Sequence, residues 1–426
     1  MPSDTLPILM INIFVYEDSG YQKLMPLTML RPVYDLRLGI LTLFEKAELY
    51  FGGVNLTLLG RDYLKQEIKC AYPNFAVNHV LAGAPGLFIN GRVIVTDALV
   101  RLLSEFDGRQ NLMLQHRGEV VAIIVKDDLL GGMKDLLLSI PSSAQIIEKL
   151  QSVCPAREVD HVTLIEYPHD LVHANLQQLE SDFAKLGRGG IVKGNLRPYV
   201  VVEGEQNVYV GENTTIEDFV TINATAGPVY IESDVYIESH TRLEGPLFIG
   251  KGSRILGGKI SRSSIGPNCK VAGEVSNSIF LKNTNKAHAG FIGHSYLGEW
   301  VNLGAHTTGS NLKNTYGEVK FYTGSETIST GQQFLGCVIG DHAKLGIQST
   351  LTTGTHIGFG ASISGTAIHP NFVPPFAWGT AGAYGTHRLP EFMATVKTVM
   401  KRRGIVPRIA YVELLEHLHH SVVGNA

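Results

Sequence analysis

A segment in the second half of the chain gathers side chains that could carry an acyl transfer. His288, His294 and His306 lie there together with Asn302 and Asn311. A neutral imidazole can take a proton from an attacking amine, because the ordinary pKa of histidine lies near working pH. An asparagine amide or a backbone N–H group can donate a hydrogen bond to the oxyanion that forms at the acyl carbon. For a lone histidine, a loop residue without a chemical role is the plainer interpretation.

The element that must position these residues is a repeat with a period of six, from about Tyr199 to Trp378. This period fits neither a helix nor simple strand alternation. It predicts a parallel β-helix in which three short strands make one coil and the coils stack their aliphatic side chains. An all-β sandwich with glycine turns is the alternative. The aliphatic positions are Val210, Ile216, Ile222, Ile231, Ile237, Leu243, Ile249, Ile255, Leu297, Leu303, Ile339, Leu345, Leu351, Ile357 and Ile363.

A small residue usually follows each aliphatic, and two stretches depart from the pattern. We attribute the glycines to corners that need unusual φ angles. Residues 278–291 break the period, and residues 309–336 form an excursion rich in Asn, Thr and Gly. Loops that leave a rigid scaffold often carry functional sites. The glycines are Gly211, Gly250, Gly266, Gly293, Gly298, Gly304, Gly340, Gly346 and Gly358.

The remainder of the chain divides around the repeat. Residues 1–185 alternate between candidate strands and helices, which predicts an α/β domain. A linker over residues 186–198, the β-helix over residues 199–380 and a helical tail over residues 381–426 complete the division. Strands are expected at Ile8–Tyr16, Asn55–Leu59, Gly86–Ile89 and Val120–Val125, and helices at Gly39–Tyr50, Thr96–Glu105, Ala144–Ser152, Leu176–Leu186, Leu389–Arg403 and Ala410–His420.

Composition and charge argue against several kinds of partner. The 426 residues are 44% hydrophobic and 18% charged with a net charge of -3, which indicates a globular protein without a basic nucleic-acid footprint. No apolar run is long enough to span a membrane, and we expect Leu6–Val15 to be a buried strand rather than a signal peptide. The widely spaced Cys70, Cys154, Cys269 and Cys337 indicate thiols in a reducing cytoplasm.

The segment from His288 to Asn311 resembles the acetyltransferase segment of a bifunctional family, the uridyltransferase/glucosamine-1-phosphate acetyltransferases of bacterial cell-wall precursor synthesis. The two run without a gap over these 24 residues, through a histidine, Tyr-Leu-Gly and Asn-Leu-Gly-Ala. The resemblance implies that His288 is the catalytic base and that Asn302 and Asn311 bind substrate. The stretch 280–284 is similar to the family's lysine-bearing stretch, which implies that Lys282 binds the sugar phosphate. For Asn302, a corner side chain stacked along the solenoid is the alternative.

Two positions of this segment depart from the family's pattern. Phe291 and Leu312 stand where the family has tyrosines, whose hydroxyls would contact the sugar phosphate. The resemblance nevertheless implies that Phe291 is one of the substrate-binding residues. Proteins of this class resemble one another in left-handed winding, against the usual crossover rule, and in trimers that share grooves between subunits. The resemblance therefore implies a left-handed parallel β-helix, a homotrimer and acetyl-CoA as cosubstrate. For Lys401-Arg402-Arg403, a solvated helix end suits the helix dipole, and contact with a CoA phosphate is the alternative.

Residues 1–185 are similar to a divergent sugar nucleotidyltransferase domain with a Rossmann-like fold. Pro26-Leu27-Thr28 matches the family's Pro-Leu-Thr, which implies that Thr28 contacts the nucleotide. Val33 follows Pro32 where the family has lysine, and the loop Tyr16–Lys23 has one glycine where the family has several.

The family's magnesium site is altered as well. The usual metal-binding aspartate is replaced in the motif Asn90-Gly91-Arg92. The stretch 174–179 resembles an Asn-rich metal segment, which implies Asn175 as a Mg²⁺ ligand.

Two arginines offer a substitute for the missing positive charge. Arg31 and Arg37 are candidates for binding the nucleotide phosphates. Structural ion pairs with Asp35 and Glu45 are the alternative of equal weight.

The sequence thus predicts a cytoplasmic bifunctional enzyme that supplies UDP-N-acetylglucosamine. Acetyl-CoA acetylates glucosamine-1-phosphate at the β-helix, and UTP with Mg²⁺ is joined to the product at the N-terminal domain. The alternatives are an acetyltransferase for another amino sugar, a nucleotidyltransferase with the other domain vestigial, and a non-catalytic trimeric scaffold. Some proteins with this fold instead hydrate carbon dioxide on a zinc held by three histidines. They show a close histidine pair, whereas no second histidine follows His342 within five residues.

Overall fold

The structure is a computed structural model that describes residues 11–52, 56–79, 83–105 and 109–424. The chain forms two compact units. The described residues up to Leu24, with Leu30–Leu36 and Leu41–Tyr167, make the first unit; Met25–Met29, Arg37–Ile40 and the chain from Pro168 make the second. By contacts, the helix that begins at Pro168 groups with the second unit, whereas the sequence analysis places the end of the first domain at residue 185.

The first unit is an α/β unit around one buried sheet. The strands before residue 168 are β1 Asn12–Tyr16, β2 Arg37–Leu38, β3 Leu41–Thr42, β4 Leu56–Leu59, β5 Ala76–Val77, β6 Gly86–Asn90, β7 Leu112–His116, β8 Glu119–Val125 and β9 Ala156–Glu158. The helices are α1 Leu43–Phe51, α2 Lys65–Ala71, α3 Asp97–Ser104, α4 Leu130–Leu138 and α5 Ser143–Leu150. The sheet order is β5-β4-β1-β6-β8-β7-β9.

The strand order creates a switch point beside β1. This central strand is parallel to β4 on one side and to β6 on the other, and β8 is antiparallel to β6. Because the chain moves first to β4 and later to β6, the carboxyl ends of β1 and β6 border a crevice where open α/β sheets bind ligands.

The predicted strands of this unit are confirmed where the chain is described; residues 8–10 and Asn55 of those predictions lie outside the described residues. The helix predicted from Gly39 begins instead at Leu43. The reason is a capping box: the Thr42 hydroxyl accepts from the Glu45 N–H group and the Glu45 carboxylate accepts from the Thr42 N–H group.

The second unit is a parallel β-helix preceded by α6, Pro168–Leu186, and followed by α7, Leu389–Lys401, and α8, Ile409–Val423. Its strands are β10 Ile191–Val192, β11 Asn195–Leu196, β12 Val201–Glu203, β13 Val208–Val210, β14 Thr215–Ile216, β15 Thr221–Asn223, β16 Val229–Ile231, β17 Tyr236–Ile237, β18 Thr241–Glu244, β19 Leu247–Ile249, β20 Arg254–Ser261, β21 Ser264–Ile265, β22 Lys270–Ser276, β23 Ile279–Phe280, β24 Asn285–Lys286, β25 Phe291–Gly293, β26 Tyr296–Leu297, β27 Asn302–Leu303, β28 Thr308–Gly309, β29 Lys320–Tyr322, β30 Thr327–Ser329, β31 Val338–Ile339, β32 Lys344–Leu345, β33 Thr350–Leu351, β34 His356–Ile357, β35 Ser362–Ser364, β36 Phe372–Val373, β37 Ala377–Thr380 and β38 Ala383–Thr386.

The repeat read from the sequence is confirmed by the strand register. Ile231 is paired with Ile249, and Ile222 with Leu243, in successive coils. All fifteen predicted aliphatic positions lie in one buried core. The predicted architecture is thus confirmed: an α/β unit and a parallel β-helix of hexapeptide repeats.

Two boundaries within the β-helix differ from the prediction. Strands β10 and β11 pair with β13 and β14, so residues 186–198 begin the solenoid rather than form a linker. Residues 278–291 do not leave it either, since β23 pairs with β21 and β24 with β22. The excursion at residues 309–336 is confirmed, and it contains an antiparallel hairpin of β29 and β30.

The repeat glycines serve close stacking rather than unusual φ angles, which corrects the prediction. None of the nine has a positive φ. A Cβ atom on Gly211 would lie 2.5 Å from the Ser233 backbone nitrogen of the next coil, and one on Gly304 would lie 2.5 Å from the Gly346 backbone. The left-handed backbone conformation falls two residues later, as at Asn213 and His306.

No helix among the described residues combines the length and apolar character needed to cross a membrane.

Candidate functional site

A cavity of about 540 Å³ on the second unit brings His288 and Asn302 together with the last turn of α7. Its cationic lining consists of Lys270, Lys344, Arg402 and Arg403. The cavity is therefore suited to an anionic ligand that reaches an imidazole.

An outward-facing row of the β-helix builds one wall of the cavity. Lys270, Asn285, Asn302 and Lys344 are aligned by the register of β22, β24, β27 and β32. Successive side chains of a strand point to opposite faces, so Leu303 points inward while Asn302 points outward. The Asn285 amide donates to the Asn302 carbonyl oxygen at 3.4 Å, so Asn302 both lines the cavity and stacks along the solenoid.

His288 is exposed in the link between β24 and β25, and a buried lysine holds its backbone. The Lys286 ammonium donates to the carbonyl oxygen of His288 at 2.9 Å and to that of Ala272 at 2.8 Å. Burial lowers the pKa of Lys286 to about 8. The sequence analysis did not single out Lys286. The interruption of the six-residue period at residues 278–291 could have revealed this residue, because Lys286 occupies an inward position and is paired with Val271.

The basic end of α7 is part of the cavity rather than only a solvated helix end. The Arg403 guanidinium donates to the carbonyl oxygen of Asn268 at 2.9 Å and to the side-chain oxygen of Asn285 at 2.6 Å. Burial, and then the nearby Arg403, Arg254 and Arg402, lower the pKa of Lys270. These positive charges therefore lie close enough to repel one another.

Lys344 lies in the same wall of the cavity. Its ammonium donates to the carbonyl oxygens of Trp300 and, at 3.1 Å, of His342. Burial lowers the pKa of Lys344 to about 7.

Three residues predicted for the sugar-phosphate site do not line this cavity. The Asn311 amide lies 2.8 Å from Nδ1 of His294, whose pKa burial lowers to about 4. Lys282 is exposed and pairs with Glu299 at 3.3 Å. Phe291 packs beside Gly293. The structure thus brings together His288 and Asn302 but leaves Asn311, Lys282 and Phe291 elsewhere on the β-helix.

Within the described ranges, the histidines of one chain do not form a zinc site by themselves. No three His, Cys, Asp or Glu side chains among those residues are grouped to hold a metal ion. Nε2 of His342 instead lies 2.7 Å from the Tyr411 hydroxyl.

Asn175 does not fit the predicted role of magnesium ligand. It is buried in the second unit, where its side-chain oxygen accepts from the Gly39 N–H group at 2.8 Å and from the Ser264 hydroxyl at 2.9 Å. That oxygen is already engaged on both sides, so the prediction for Asn175 is wrong.

The three residues predicted to bind the nucleotide, Arg31, Arg37 and Thr28, contact other groups of the protein. Arg31 lies 3.8 Å from Asp35, as the ion-pair alternative predicted. Arg37 does not pair with Glu45: it donates to the Ile40 carbonyl oxygen and lies over the Phe248 ring at 5.0 Å. Thr28 is buried, with its hydroxyl 3.6 Å from the Met25 sulfur.

Two buried arginine–carboxylate pairs occupy the switch point of the first unit. Glu17 accepts from Nε and Nη2 of Arg61 at 2.8 and 3.0 Å. Asp18 accepts from Nε and Nη2 of Arg92 at 2.8 and 2.6 Å. Both carboxylates follow β1 directly, and Arg92 follows β6. The sequence signal was the replacement in the motif Asn90-Gly91-Arg92.

The comparisons with known proteins agree with the resemblance stated from the sequence. Residues 13–190 match the model of the sugar nucleotidyl transferase family. A bifunctional sugar-1-phosphate nucleotidylyltransferase/acetyltransferase of Sulfurisphaera tokodaii is 35% identical over 164 residues, which cover 36% of this chain and 38% of that protein. The bifunctional protein GlmU of Methanocaldococcus jannaschii is 29% identical over 210 residues, covering 47% of this chain and 43% of that protein.

The chain spans less than half the length of these curated relatives. A solved UDP-N-acetylglucosamine acyltransferase has 16% identity and a TM-score of 0.24, and the match covers 54% of this chain and 89% of that chain. The predicted family resemblance is confirmed: residues 13–190 match the sugar nucleotidyl transferase model, and the relatives are named as bifunctional enzymes.

Proposed function

We propose that this chain is a bifunctional sugar-phosphate enzyme that acetylates glucosamine-1-phosphate with acetyl-CoA and transfers a uridylyl group from UTP to the product. The observation that carries the acetyl transfer is the cavity that His288 and Asn302 line together with Lys270, Arg402 and Arg403. The relatives named as bifunctional nucleotidylyltransferase/acetyltransferases support the pairing of the two activities.

In the proposed acetyl transfer, the amine of the sugar attacks the thioester carbonyl carbon. A carbon–nitrogen bond forms, the carbon–sulfur bond breaks, and the amine proton passes to the His288 imidazole and then to the departing sulfur. The hydrogen bonds from Lys286 fix the backbone that presents His288. Asn302 faces the same space and can donate to the developing oxyanion.

Lys270, Arg402 and Arg403 supply the charge for phosphate groups of the substrates. Arginine suits this role because its guanidinium presents several donors in one plane. The exposed side chains of this cluster meet solvent, so their attraction falls as salt is added.

The uridylyl transfer rests on the family domain at residues 13–190. Magnesium ions commonly accompany nucleoside triphosphates and neutralise the pyrophosphate that leaves. The side chains predicted to hold such an ion do not fit it, so no step of the proposal passes through a protein-bound metal. A homotrimer and a cytoplasmic location complete the proposal; four free cysteine thiols accord with that location.

The direct test is thiol release from acetyl-CoA by purified protein, with and without glucosamine-1-phosphate. We expect release that requires the sugar phosphate. Glucosamine without the phosphate should be a poor acceptor because it lacks the charge that the cationic wall attracts. No release at all would contradict the proposal and favour the non-catalytic scaffold. Equal release with neither sugar nor sugar phosphate would contradict it too, because it would show hydrolysis of acetyl-CoA rather than transfer to an amine.

A second assay addresses the nucleotidyl transfer by itself. With UTP, Mg²⁺ and N-acetylglucosamine-1-phosphate, the proposal predicts pyrophosphate release. Absence of pyrophosphate alongside active acetyl transfer would leave a single-activity acetyltransferase with a vestigial first unit.

A further inference from the structure

The arginine of the motif Asn90-Gly91-Arg92 lies where oxygen ligands converge in the first unit. Its Nη2 atom is 2.6 Å from one carboxylate oxygen of Asp18 and 2.7 Å from one of Glu119. The Asn90 amide donates to the same Asp18 oxygen at 2.8 Å, and the Asn90 carbonyl oxygen accepts from the Arg92 N–H group at 3.0 Å. One nitrogen therefore stands at the meeting point of two carboxylates.

Such a convergence is the arrangement that a hard divalent cation prefers. Magnesium and manganese bind through one or two carboxylates, further oxygen atoms and retained waters. The carboxylates of Asp18 and Glu119 supply oxygens of this kind, whereas the side-chain oxygen of Asn90 is engaged by the Arg92 N–H group. The two carboxylates stand at the carboxyl end of β1 and at the start of β8, around the switch point where open α/β sheets bind ligands.

The guanidinium fills this position completely. The side chains of Arg92 and Asp18 are each 1% exposed, whereas that of Glu119 is 27% exposed. Burial acts to lower the pKa of Arg92, but its bonds to Asp18 outweigh burial and raise it. Burial acts to raise the pKa of Glu119, and Arg92 outweighs it in turn, so that pKa is lowered. The arginine remains charged throughout the physiological range of pH.

The arginine also closes the loop that follows β1. A Cβ atom on Gly20 would lie 2.4 Å from Cζ of Arg92, so the guanidinium rests against the loop backbone. The Gly20 N–H group donates to Asp18 at 3.1 Å rather than pointing into the crevice. The backbone N–H group of Gly20 could bind a phosphate in the crevice only if the Arg92 side chain moved away from this loop.

We infer that the Arg92 guanidinium is a resident cation that occupies the place of a divalent metal ion at the switch point, and that its removal opens a metal site. The first unit then needs no protein-bound metal there. The inference does not depend on whether that unit transfers a uridylyl group, because its test measures metal binding and not turnover.

The test is a titration of the full-length protein with Mn²⁺ alone, followed by electron paramagnetic resonance and by thermal unfolding. Wild type should show no manganese site at the switch point. Arg92→Ala should bind about one ion per chain with a Kd of about 10⁻⁴ to 10⁻³ M, as weak calcium-binding modules do for their ion. Its unfolding temperature should rise with Mn²⁺ because the ion replaces the lost positive charge between Asp18 and Glu119.

Arg61→Ala is the matched control. It removes the other buried guanidinium but exposes only one carboxylate, that of Glu17. It should lose stability as Arg92→Ala does, without gaining a manganese site. A comparable gain of Mn²⁺ binding in Arg61→Ala, or no gain in a folded Arg92→Ala protein, overturns the inference.

Asp18→Asn keeps the inference testable if Arg92→Ala does not fold. Identical manganese titrations of wild type and Asp18→Asn support the inference. An equivalent of Mn²⁺ bound by wild type and lost in Asp18→Asn overturns it.

Discussion

The position of His288 depends on a lysine beneath it rather than on packing of the imidazole. Lys286 lies inside the coil, 2% exposed, and donates to the carbonyl oxygens of Ala272 and His288. Because the donor is charged, these hydrogen bonds are stronger than those between neutral groups. The buried lysine is therefore a positioning residue for the proposed base.

Lys286→Met tests this role. The thioether fills similar volume but cannot hold the His288 carbonyl oxygen, so we expect kcat to fall by about 10²-fold, the scale of a displacement near 1 Å. The KM for acetyl-CoA should change little, because Lys286 does not line the cavity. Lys313→Met, which removes a half-buried lysine that donates to the Glu318 carbonyl oxygen within the excursion, is the control. An unchanged kcat in a folded Lys286→Met protein would remove the positioning role.

Arg403 makes a separate prediction about substrate binding. Its guanidinium links the end of α7 to Asn285 on the cavity wall. Arg403→Ala should raise the KM for acetyl-CoA by about tenfold, since a hydrogen bond to a charged group contributes about 1.5–3 kcal/mol. The wild-type KM should also rise with salt more steeply than that of the variant.

Arg388→Ala is the control for that measurement. This arginine precedes the same helix at its other end and pairs with Glu391 on the surface. An equal rise of KM in both variants would place the effect in the stability of α7 rather than in the cavity.

At the scale of elements, the coils of the β-helix approach so closely that the repeat glycines cannot carry a side chain. Gly211→Ala would drive a Cβ atom against the Ser233 backbone. We expect a loss of about 1–3 kcal/mol in the free energy of unfolding, as for other overpacked sites, measured by urea titration. Gly132→Ala in α4, where a Cβ atom meets open space, should instead raise stability by about 0.5–1 kcal/mol. The same sign for both variants would contradict the stacking explanation.

The hairpin of β29 and β30 is anchored to the solenoid by a buried histidine. Nδ1 of His356 lies 3.2 Å from the Tyr322 carbonyl oxygen, and the ring stacks on Phe321. Burial lowers the pKa of His356 to about 4, below the value near 6.5 of an unfolded chain. The unfolded chain therefore binds more protons in this interval, and stability present above about pH 6.5 is lost as the pH falls to about 4.

His356→Gln tests that dependence. Glutamine keeps an N–H donor for Tyr322 but does not titrate. The difference in unfolding free energy between pH 7 and pH 4 should shrink by about 3 kcal/mol at most, measured by urea titration at each pH. A variant whose loss of stability in acid equals that of wild type would show that His356 does not carry it.

The period of six was sufficient to predict the solenoid core, because each coil must point an aliphatic side chain inward whatever its neighbours are. The same rule predicted a departure from the solenoid around Lys286 that does not occur. A polar residue at an inward position broke the pattern there without ending the solenoid. Bonds from its ammonium to two carbonyl oxygens replace the missing apolar contact, and a pattern of residue types does not reveal such partners. The start of the solenoid at β10 was missed because residues 191–196 are largely exposed.

At the scale of the whole molecule, the candidate sites of the two units depart from the family motifs to different extents. In the second, the positions of His288 and Asn302 that resemble the acetyltransferase family meet in one cavity. In the first, the switch point holds two arginine–carboxylate pairs, Glu17 with Arg61 and Asp18 with Arg92. The departures from the family motif indicated that this site differs, but the pairs themselves depend on contacts between distant residues such as Asp18 and Arg92.

The proposed acetyl transfer is tested most directly by thiol release from acetyl-CoA with glucosamine-1-phosphate, compared between His288→Asn and His306→Asn. Both histidines are exposed, and His306 does not line the cavity; asparagine tolerates its positive φ. We predict a fall of about 10²–10⁴-fold for His288→Asn, the contribution of a general base, and near wild-type release for His306→Asn. Full activity in His288→Asn, or equal losses in the two variants, would contradict the assignment of His288 as the base.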